Sequence, residues 1–134
     1  MKYLLDTNIC IYVIKKKPLQ VLQQFQEYSF GDIGVSSITV AELAYGVQKS
    51  RYKKKNQAAL EQFLLPLEIT PFDGQAAMAY GTIRASLEAK GRPIGSLDML
   101  IAAQALSLGV PLVTNNVDEF SRVPGLILEN WVEN

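Results

Sequence analysis

Short apolar runs of strand type alternate along this chain with stretches whose apolar residues recur at helical spacing. Residues 2 to 5, 33 to 36, 67 to 70 and 110 to 113 are such runs, and Leu126 to Leu128, ahead of Trp131, supplies one more. Between them, Ile9, Tyr12 and Val13 mark one helix, and Leu19, Leu22 and Phe25 a second that Pro18 starts. Val40, Leu43, Ala44 and Val47 mark a third, and Leu60, Phe63 and Leu64 continue the pattern until Pro66 stops it. Asp73 opens a long helix through Ala76, Tyr80, Ile83 and Leu87 towards Gly91; Leu97, Leu100, Ile101, Gln104 and Leu108 form another, closed by Gly109. Strands that alternate with helices predict an α/β fold in which a mostly parallel central sheet is flanked by helices. At 134 residues the expected organisation is one domain, 1–134, with one sizeable core.

Several function classes drop out on composition. The chain has no histidine and one cysteine, Cys10, so an acid–base ribonuclease built on histidine is excluded and no intramolecular disulfide can form. Met1-Lys2-Tyr3 lacks the layout of a secretion signal, and no apolar run approaches the roughly 20 residues of a membrane span, so a cytoplasmic protein without a membrane partner is expected. Lys+Arg and Asp+Glu are both 13, and no global positive field advertises a nucleic-acid binder. Basic residues do gather at Lys15-Lys16-Lys17 and at Lys49, Arg51, Lys53, Lys54 and Lys55 around Tyr52. Such runs serve either as solvated helix ends or as contacts to a phosphate backbone.

The chemistry lies in carboxyl-bearing stretches spaced along the whole chain, around Asp6, Glu42, Asp98 and Asn116-Asp118-Glu119. In open parallel sheets ligands bind beyond the carboxyl ends of the strands. Asp6 follows the first strand directly and Asn116 follows the strand that ends at Val113, which puts both on that edge; Glu42 and Asp98 fall in first turns of helices. With carboxylates, amides and hydroxyls as the available ligands, a gathered acid cluster favours a hard cation, Mg²⁺ or Mn²⁺. Each acid also has a purely structural explanation. Asp6 is placed to cap the first helix, Glu42 stands three residues after Thr39 at the spacing of a capping box, and Asp98 suits the positive end of a helix dipole. Asn116 is favoured to complete the site by its position at the strand end, with Glu119 second and Asp118 a further candidate.

The ordered set Leu-Asp-Thr-Asn from Leu4, Ser-x-Ile-Thr-x-x-Glu-Leu around Glu42, Ile-Gly-x-x-Asp-x-x-Ile-Ala-Ala around Asp98 and Thr-x-Asn-x-x-x-Phe from Thr114 resembles PIN-domain ribonucleases, and more narrowly the VapC toxins of bacterial toxin–antitoxin pairs. The likeness runs from Leu4 to Trp131. It implies a three-layer PIN-like fold, with Asp6, Glu42 and Asp98 as the metal site and Thr7, Asn8 and Thr114 as supporting polar positions. Where the family often has an acid, this chain has Asn116, an amide that offers an oxygen but no charge, so either the second metal position is weak or Glu119 supplies it. The resemblance further implies a VapB-like antitoxin, a homodimer, and an RNA substrate of which the initiator tRNA anticodon stem-loop is one candidate.

The expected activity is metal-dependent endoribonuclease hydrolysis to 5′-phosphate and 3′-hydroxyl ends, with Asp6, Glu42, Asp98 and Asn116 as catalytic candidates. Arg84, Arg92 and the Lys49 to Lys55 stretch are candidates for phosphate contact, although Arg84 is also spaced to pair with Glu88. Two other readings stand beside it. A Mg²⁺-dependent phosphomonoesterase would use Asp6 as nucleophile but finds Asn8 where a second aspartate is needed, and a non-catalytic PIN-like module would bind a partner helix along the apolar surface near Ile11, Val13, Leu22, Phe25, Leu43, Tyr45, Val47, Leu60 and Phe63, residues that core packing also explains.

Overall fold

The computed structural model describes residues 1–132, and the last two positions of the expected 1–134 domain lie outside the described residues. In chain order the elements are β1 (Tyr3–Leu5), α1 (Thr7–Lys15), α2 (Leu19–Gln26), β2 (Ile33–Ser36), α3 (Ser37–Gln48), α4 (Lys53–Leu64), β3 (Glu68–Thr70), α5 (Gly74–Ala89), α6 (Ser96–Leu108), β4 (Leu112–Val113), α7 (Val117–Phe120) and β5 (Leu128–Glu129). The strands form one sheet in the order β3-β2-β1-β4-β5, every neighbouring pair parallel.

Side chains alternate across the sheet as the period of two requires. Leu5, Ile33, Val35 and Val113 face one side, where Ile9 and Val13 of α1, Leu43 and Val47 of α3, Leu60 and Phe63 of α4, and Trp131 pack on them. Leu4 and Leu112 face the other, against Ile83 and Leu87 of α5, Ile101 and Ala102 of α6, and Phe120 of α7. Both faces are covered, and each fully buried Leu or Ile contributes roughly 1.5–3 kcal/mol. The expected three-layer arrangement is what forms.

Gln104 of α6 is buried in the second layer and ties helix to sheet: the Ser36 hydroxyl donates to its Oε1 at 2.9 Å, and its Nε2 donates to the Pro71 carbonyl at 3.3 Å. Asp73 caps α5 by accepting from the Ala76 N–H at 3.0 Å, and α6 ends on Gly109 at φ 68°, the left-handed geometry that favours glycine.

Local structure departs from expectation in several places. β4 begins at Leu112 because Pro111 has no N–H to give the sheet, although its carbonyl still accepts from the Leu4 N–H at 3.0 Å. β5 lies at Leu128–Glu129, later than the Leu126 to Leu128 run. The apolar pattern from Val40 to Leu64 is two helices, broken between Lys49 and Tyr52. α3 is capped by Ser36, whose hydroxyl accepts from the Ile38 N–H at 3.1 Å, so Thr39 and Glu42 do not form a capping box.

The strand order positions the site. From β1 the chain steps outward to β2 and β3, then crosses back to place β4 on the opposite flank of β1. The order therefore reverses between β1 and β4, and the carboxyl ends of those two strands border the crevice where parallel α/β sheets hold their ligands.

Candidate active site

Asp6 and Thr114 sit side by side at that reversal, the first residue after β1 and the first after β4. Their backbones are fixed by the sheet: the Asp6 N–H donates to the Val113 carbonyl at 2.9 Å and the Thr114 N–H to the Glu129 carbonyl at 3.0 Å. Both side chains are buried, and the Thr114 hydroxyl donates to Asp6 Oδ2 at 2.7 Å. Asp6 occupies the N-cap position of α1 but makes no side-chain capping hydrogen bond. Burial pushes its carboxyl above the usual range, the Thr114 hydroxyl and the nearby Thr7 and Asn8 amides draw it back, and the charge of Glu42 adds to the rise.

Glu42 reaches the same hollow from the second turn of α3. The Thr7 hydroxyl has one proton, which it donates to Glu42 Oε1 at 2.7 Å, while its oxygen lies 3.1 Å from the buried Thr39 hydroxyl. Thr39 and Glu42 are thus linked through Thr7 of α1. The Asn8 side chain is exposed.

Asp98 stands in the first turn of α6. Burial, then the charge and hydrogen bonding of Glu119, then the charges of Asp6 and Glu42 push its carboxyl up to about 7. Acids separated by up to 113 positions thus act on one another in one hollow. Glu119 is held the other way, below the ordinary range. Its Oε1 accepts from the Gly95 N–H at 2.8 Å, its Oε2 accepts from Asn116 Nδ2 at 2.6 Å, and the charge of Arg122 adds to the effect. Asn116 in turn donates its backbone N–H to the Thr114 hydroxyl at 3.0 Å, which completes a chain from Asp6 through Thr114 and Asn116 to Glu119. Asp118 is exposed, away from this chain.

Three further residues belong to the site. Gly95 lies against both acids of the pair: a Cβ there would sit 3.4 Å from Asp98 Oδ2 and 3.7 Å from Glu119 Oε1. Arg122 donates Nη1 to the Pro93 carbonyl at 3.0 Å, so α7 and the turn before α6 are joined twice, by this bond and by Gly95 to Glu119. Thr39 was visible in the sequence only as part of a capping pattern. Of the basic candidates, Arg84 donates to Glu88 Oε2 at 3.1 Å and to the Tyr80 hydroxyl at 3.0 Å, the helical pairing its spacing allowed.

The donors gathered here are carboxylate, amide and hydroxyl oxygens, a hard set suited to Mg²⁺ or Mn²⁺. Among the described residues no three acidic, cysteine or histidine side chains close into a tight cage. Three of the four carboxylates are steered by their own partners: Asp6 by Thr114, Glu42 by Thr7, and Glu119 by Gly95 and Asn116. The set fits a divalent cation in its chemistry and in its electrostatics, because the neighbouring charges that add to burial in pushing Asp98 up are those a cation would neutralise. From the hollow an apolar groove of about 420 Å³ opens between α1, α3 and α4; Thr7 and Glu42 line it together with Ile11, Ile14, Leu43 and Leu60.

The family model described as PIN domain matches residues 3–126. Ribonuclease VapC2 of Haemophilus influenzae is 50% identical over 132 residues, covering 98% of this chain and 99% of that protein. The tRNA(fMet)-specific endonuclease VapC of Salmonella typhimurium is 44% identical over 131 residues, covering 98% of each. Among solved structures, VapBC2 from Rickettsia felis bound to a DNA fragment from its promoter superposes with a TM-score of 0.91 at 47% identity, over 98% of this chain and 99% of that one. DNA-bound VapBC from Salmonella typhimurium gives a TM-score of 0.93 at 44% identity over 98% of each chain.

Proposed function

The chain belongs to the PIN-domain family and within it to the VapC ribonucleases, and we propose that the hollow between β1 and β4 is where it hydrolyses RNA phosphodiester bonds. It is an endoribonuclease toxin whose partner is a VapB-like antitoxin. The observation that carries the site assignment is that Asp6, Glu42, Asp98 and Glu119, four acids from four separate segments, lie close enough for the other three to act on Asp98.

Asp6, Glu42 and Asp98, with Glu119 beside them, would hold one or two Mg²⁺ or Mn²⁺ ions. Such an ion supplies Lewis-acid polarisation of water and of the scissile phosphate. The chain's own residues do the rest. Thr114 aims Asp6, Thr7 aims Glu42, and Gly95 and Asn116 hold Glu119 as an ionised acceptor beside Asp98. Asp98, pushed up to about 7 by burial and then by the charge and hydrogen bonding of Glu119, would hold such an ion in its ionised form. With a water molecule as nucleophile the RNA 2′-hydroxyl need not react, so the missing histidines are no handicap and the products are 5′-phosphate and 3′-hydroxyl ends. Asn116 positions Glu119 rather than replacing its charge.

The 44% identity to a protein named tRNA(fMet)-specific endonuclease supports initiator tRNA as the substrate. The apolar groove along α1, α3 and α4, open to Thr7 and Glu42, supports a seat for an amphipathic antitoxin segment that covers the acids. We take the chain to be one domain that works as a homodimer. Among the described residues no helix is long and apolar enough to cross a membrane, and the buried free thiol of Cys10 suits a reducing cytoplasm.

Digestion of RNA by the wild type and by Asp98→Asn, with Mg²⁺ or Mn²⁺ and with EDTA, tests this reading. Cleavage by the wild type with metal alone, lowered at least a hundredfold in the variant, is expected. Equal cleavage by both proteins in EDTA, from preparations free of contaminating nuclease, overturns it.

A further inference from the structure

The acids that make the hollow reactive also repel the polyanion it must cut, so the RNA needs cationic purchase close by. The nearest side chains of that kind on the Glu42 helix are not scattered. Glu42 and Tyr45 stand a turn apart on α3 and Lys49, its C-cap residue, a turn further on; at about 1.5 Å of rise per residue Lys49 lies roughly 10 Å along the helix axis from Glu42. Tyr45 is 66% exposed, and the Lys49 ammonium sits 5.1 Å above its ring. Around the corner into α4 the pattern repeats: Tyr52 is 62% exposed and carries the Arg51 guanidinium 5.7 Å from its ring centre.

Two features set this strip apart from an ordinary solvated helix end. Lys53, Lys54 and Lys55 occupy the first turn of α4, where the positive end of the helix dipole disfavours them and where no acidic residue is present. The ion pairs among the described residues are Lys2 with Asp32 and Arg84 with Glu88, so neither Lys49, Arg51 nor the three lysines is matched by a carboxylate. The local stability of α4 thus argues against these charges, and no acidic partner among the described residues explains them. The corner itself is firmly built: the Ser50 hydroxyl donates to the Val47 carbonyl at 2.6 Å and accepts from Asn56 Nδ2 at 2.9 Å, and the Asn56 N–H donates to the Tyr52 carbonyl at 2.9 Å. Gly46, next to Tyr45, has nothing within 4 Å of where a Cβ would stand, and it borders the apolar groove that Glu42 also lines.

We propose that Tyr45, Lys49, Arg51 and Tyr52 form a docking strip for the unpaired RNA segment next to the cleaved bond, with bases stacking on the two rings and phosphates meeting the cations. The assignment rests on the ribonuclease reading above and deepens it: it names the surface by which this chain grips its substrate. Exposed aromatic faces backed by cations suit single-stranded nucleic acid, since every base offers a π-face and every linkage a charge. The lysines that open α4 extend the cationic rim. An acidic protein segment would be drawn to the charges but gains nothing specific from the paired rings, so RNA is the occupant that uses both.

The full chain carrying Asp98→Asn binds without cutting, and a fluorescent unpaired RNA oligonucleotide serves as probe across a salt titration. Tyr45→Ala and Tyr52→Ala are each expected to weaken binding about tenfold, while Tyr45→Phe and Tyr52→Phe retain it. Lys49→Gln and Arg51→Gln are each expected to lower the slope of log affinity against log salt by about 0.7. Unchanged affinity and slope in variants with a native circular dichroism spectrum overturn the proposal. So does a result in which the same substitutions weaken only a titration with the antitoxin, which would make the strip a protein contact. Failure of the wild type to cut RNA counts against the ribonuclease reading instead, because strip binding is read without cleavage.

Discussion

The Thr114 hydroxyl donates to Asp6 Oδ2 at 2.7 Å, a bond between residues 108 positions apart that crosses the seam where the strand order reverses. Asp6 is buried, so this donor does much to keep a charged carboxylate tolerable there. Thr114→Val leaves the oxygen without its partner and is expected to destabilise the fold by about 2 kcal/mol. It should also lower kcat/KM on RNA at least tenfold, with Thr114→Ser restoring most of both. Urea unfolding and RNA cleavage measured on the same preparations check it.

The elevated Asp98 gives the metal-free protein a distinctive pH response. Its folded carboxyl titrates at about 7, against 3.8 for an ordinary aspartate, so between these values the folded state holds a proton that the unfolded chain releases. Stability from this group is fully present below about pH 4 and is lost as the pH rises through 7; Asp6, also raised, contributes in the same direction. Glu119, lowered, contributes in the opposite sense at the acid end. In EDTA the unfolding midpoint is expected to fall from pH 5 to pH 8, and Asp98→Asn should flatten that fall. A steady or rising midpoint across the range contradicts it.

Divalent cations should reverse the same trend. Ligand bound only to the folded state stabilises by mass action, about 2.7 kcal/mol at a hundred times its dissociation constant. Mg²⁺ or Mn²⁺ is expected to raise the midpoint more at pH 8 than at pH 6, because at pH 6 the ion must displace the Asp98 proton. Calorimetry with and without metal at the two pH values makes the comparison, and an equal gain at both would disprove the coupling.

Gly95→Ala separates stability from activity. The added Cβ meets Asp98 Oδ2 at 3.4 Å and Glu119 Oε1 at 3.7 Å, ordinary contacts, and the backbone at φ −58° and ψ 146° accepts alanine. Stiffening the unfolded chain stabilises by about 0.4–1 kcal/mol, while losing glycine at an N-cap position costs some of that. The net change should stay below about 1 kcal/mol. The methyl group nevertheless occupies space directly over the two carboxylates, so the metal concentration giving half-maximal cleavage should rise at least fivefold.

Gln104→Ala is expected to destabilise by about 3 kcal/mol, because it opens a cavity and strips a partner from the Ser36 hydroxyl and the Pro71 carbonyl. Gln104→Met fills the space without the hydrogen bonds, and the difference between the two variants in urea unfolding measures the cavity alone.

The layered architecture was legible because it is written locally. Alternation of two and of nearly four gives strands and helices, and Asp73 and Gly109 act as the start and stop signals their chemistry predicts. Asp6 and Asn116 could be placed because each follows a strand, whereas Thr114 came only from the family resemblance. What stayed hidden depends on partners far along the chain. Thr39 and Glu42 have capping-box spacing, yet Thr7, more than 30 positions away, engages both. Glu119 is brought to Asp98 by the Gly95 N–H 24 positions earlier, a contact with no sequence signature, and Asn116 becomes its positioner. Strand ends were blurred for a simpler reason: β4 and β5 are two residues each, too short for an alternating pattern to define.

β1 is flanked in the finished sheet by β2 and by β4, and its pairing of Leu5 with Val113 joins residues 108 positions apart. A chain still on the ribosome, or one released early by a broken message, therefore carries Asp6 and Glu42 without Thr114 or Glu119 to complete the hollow. Such a fragment lacks both the hydroxyl that holds Asp6 and the acid beside Asp98, and so carries no assembled hollow.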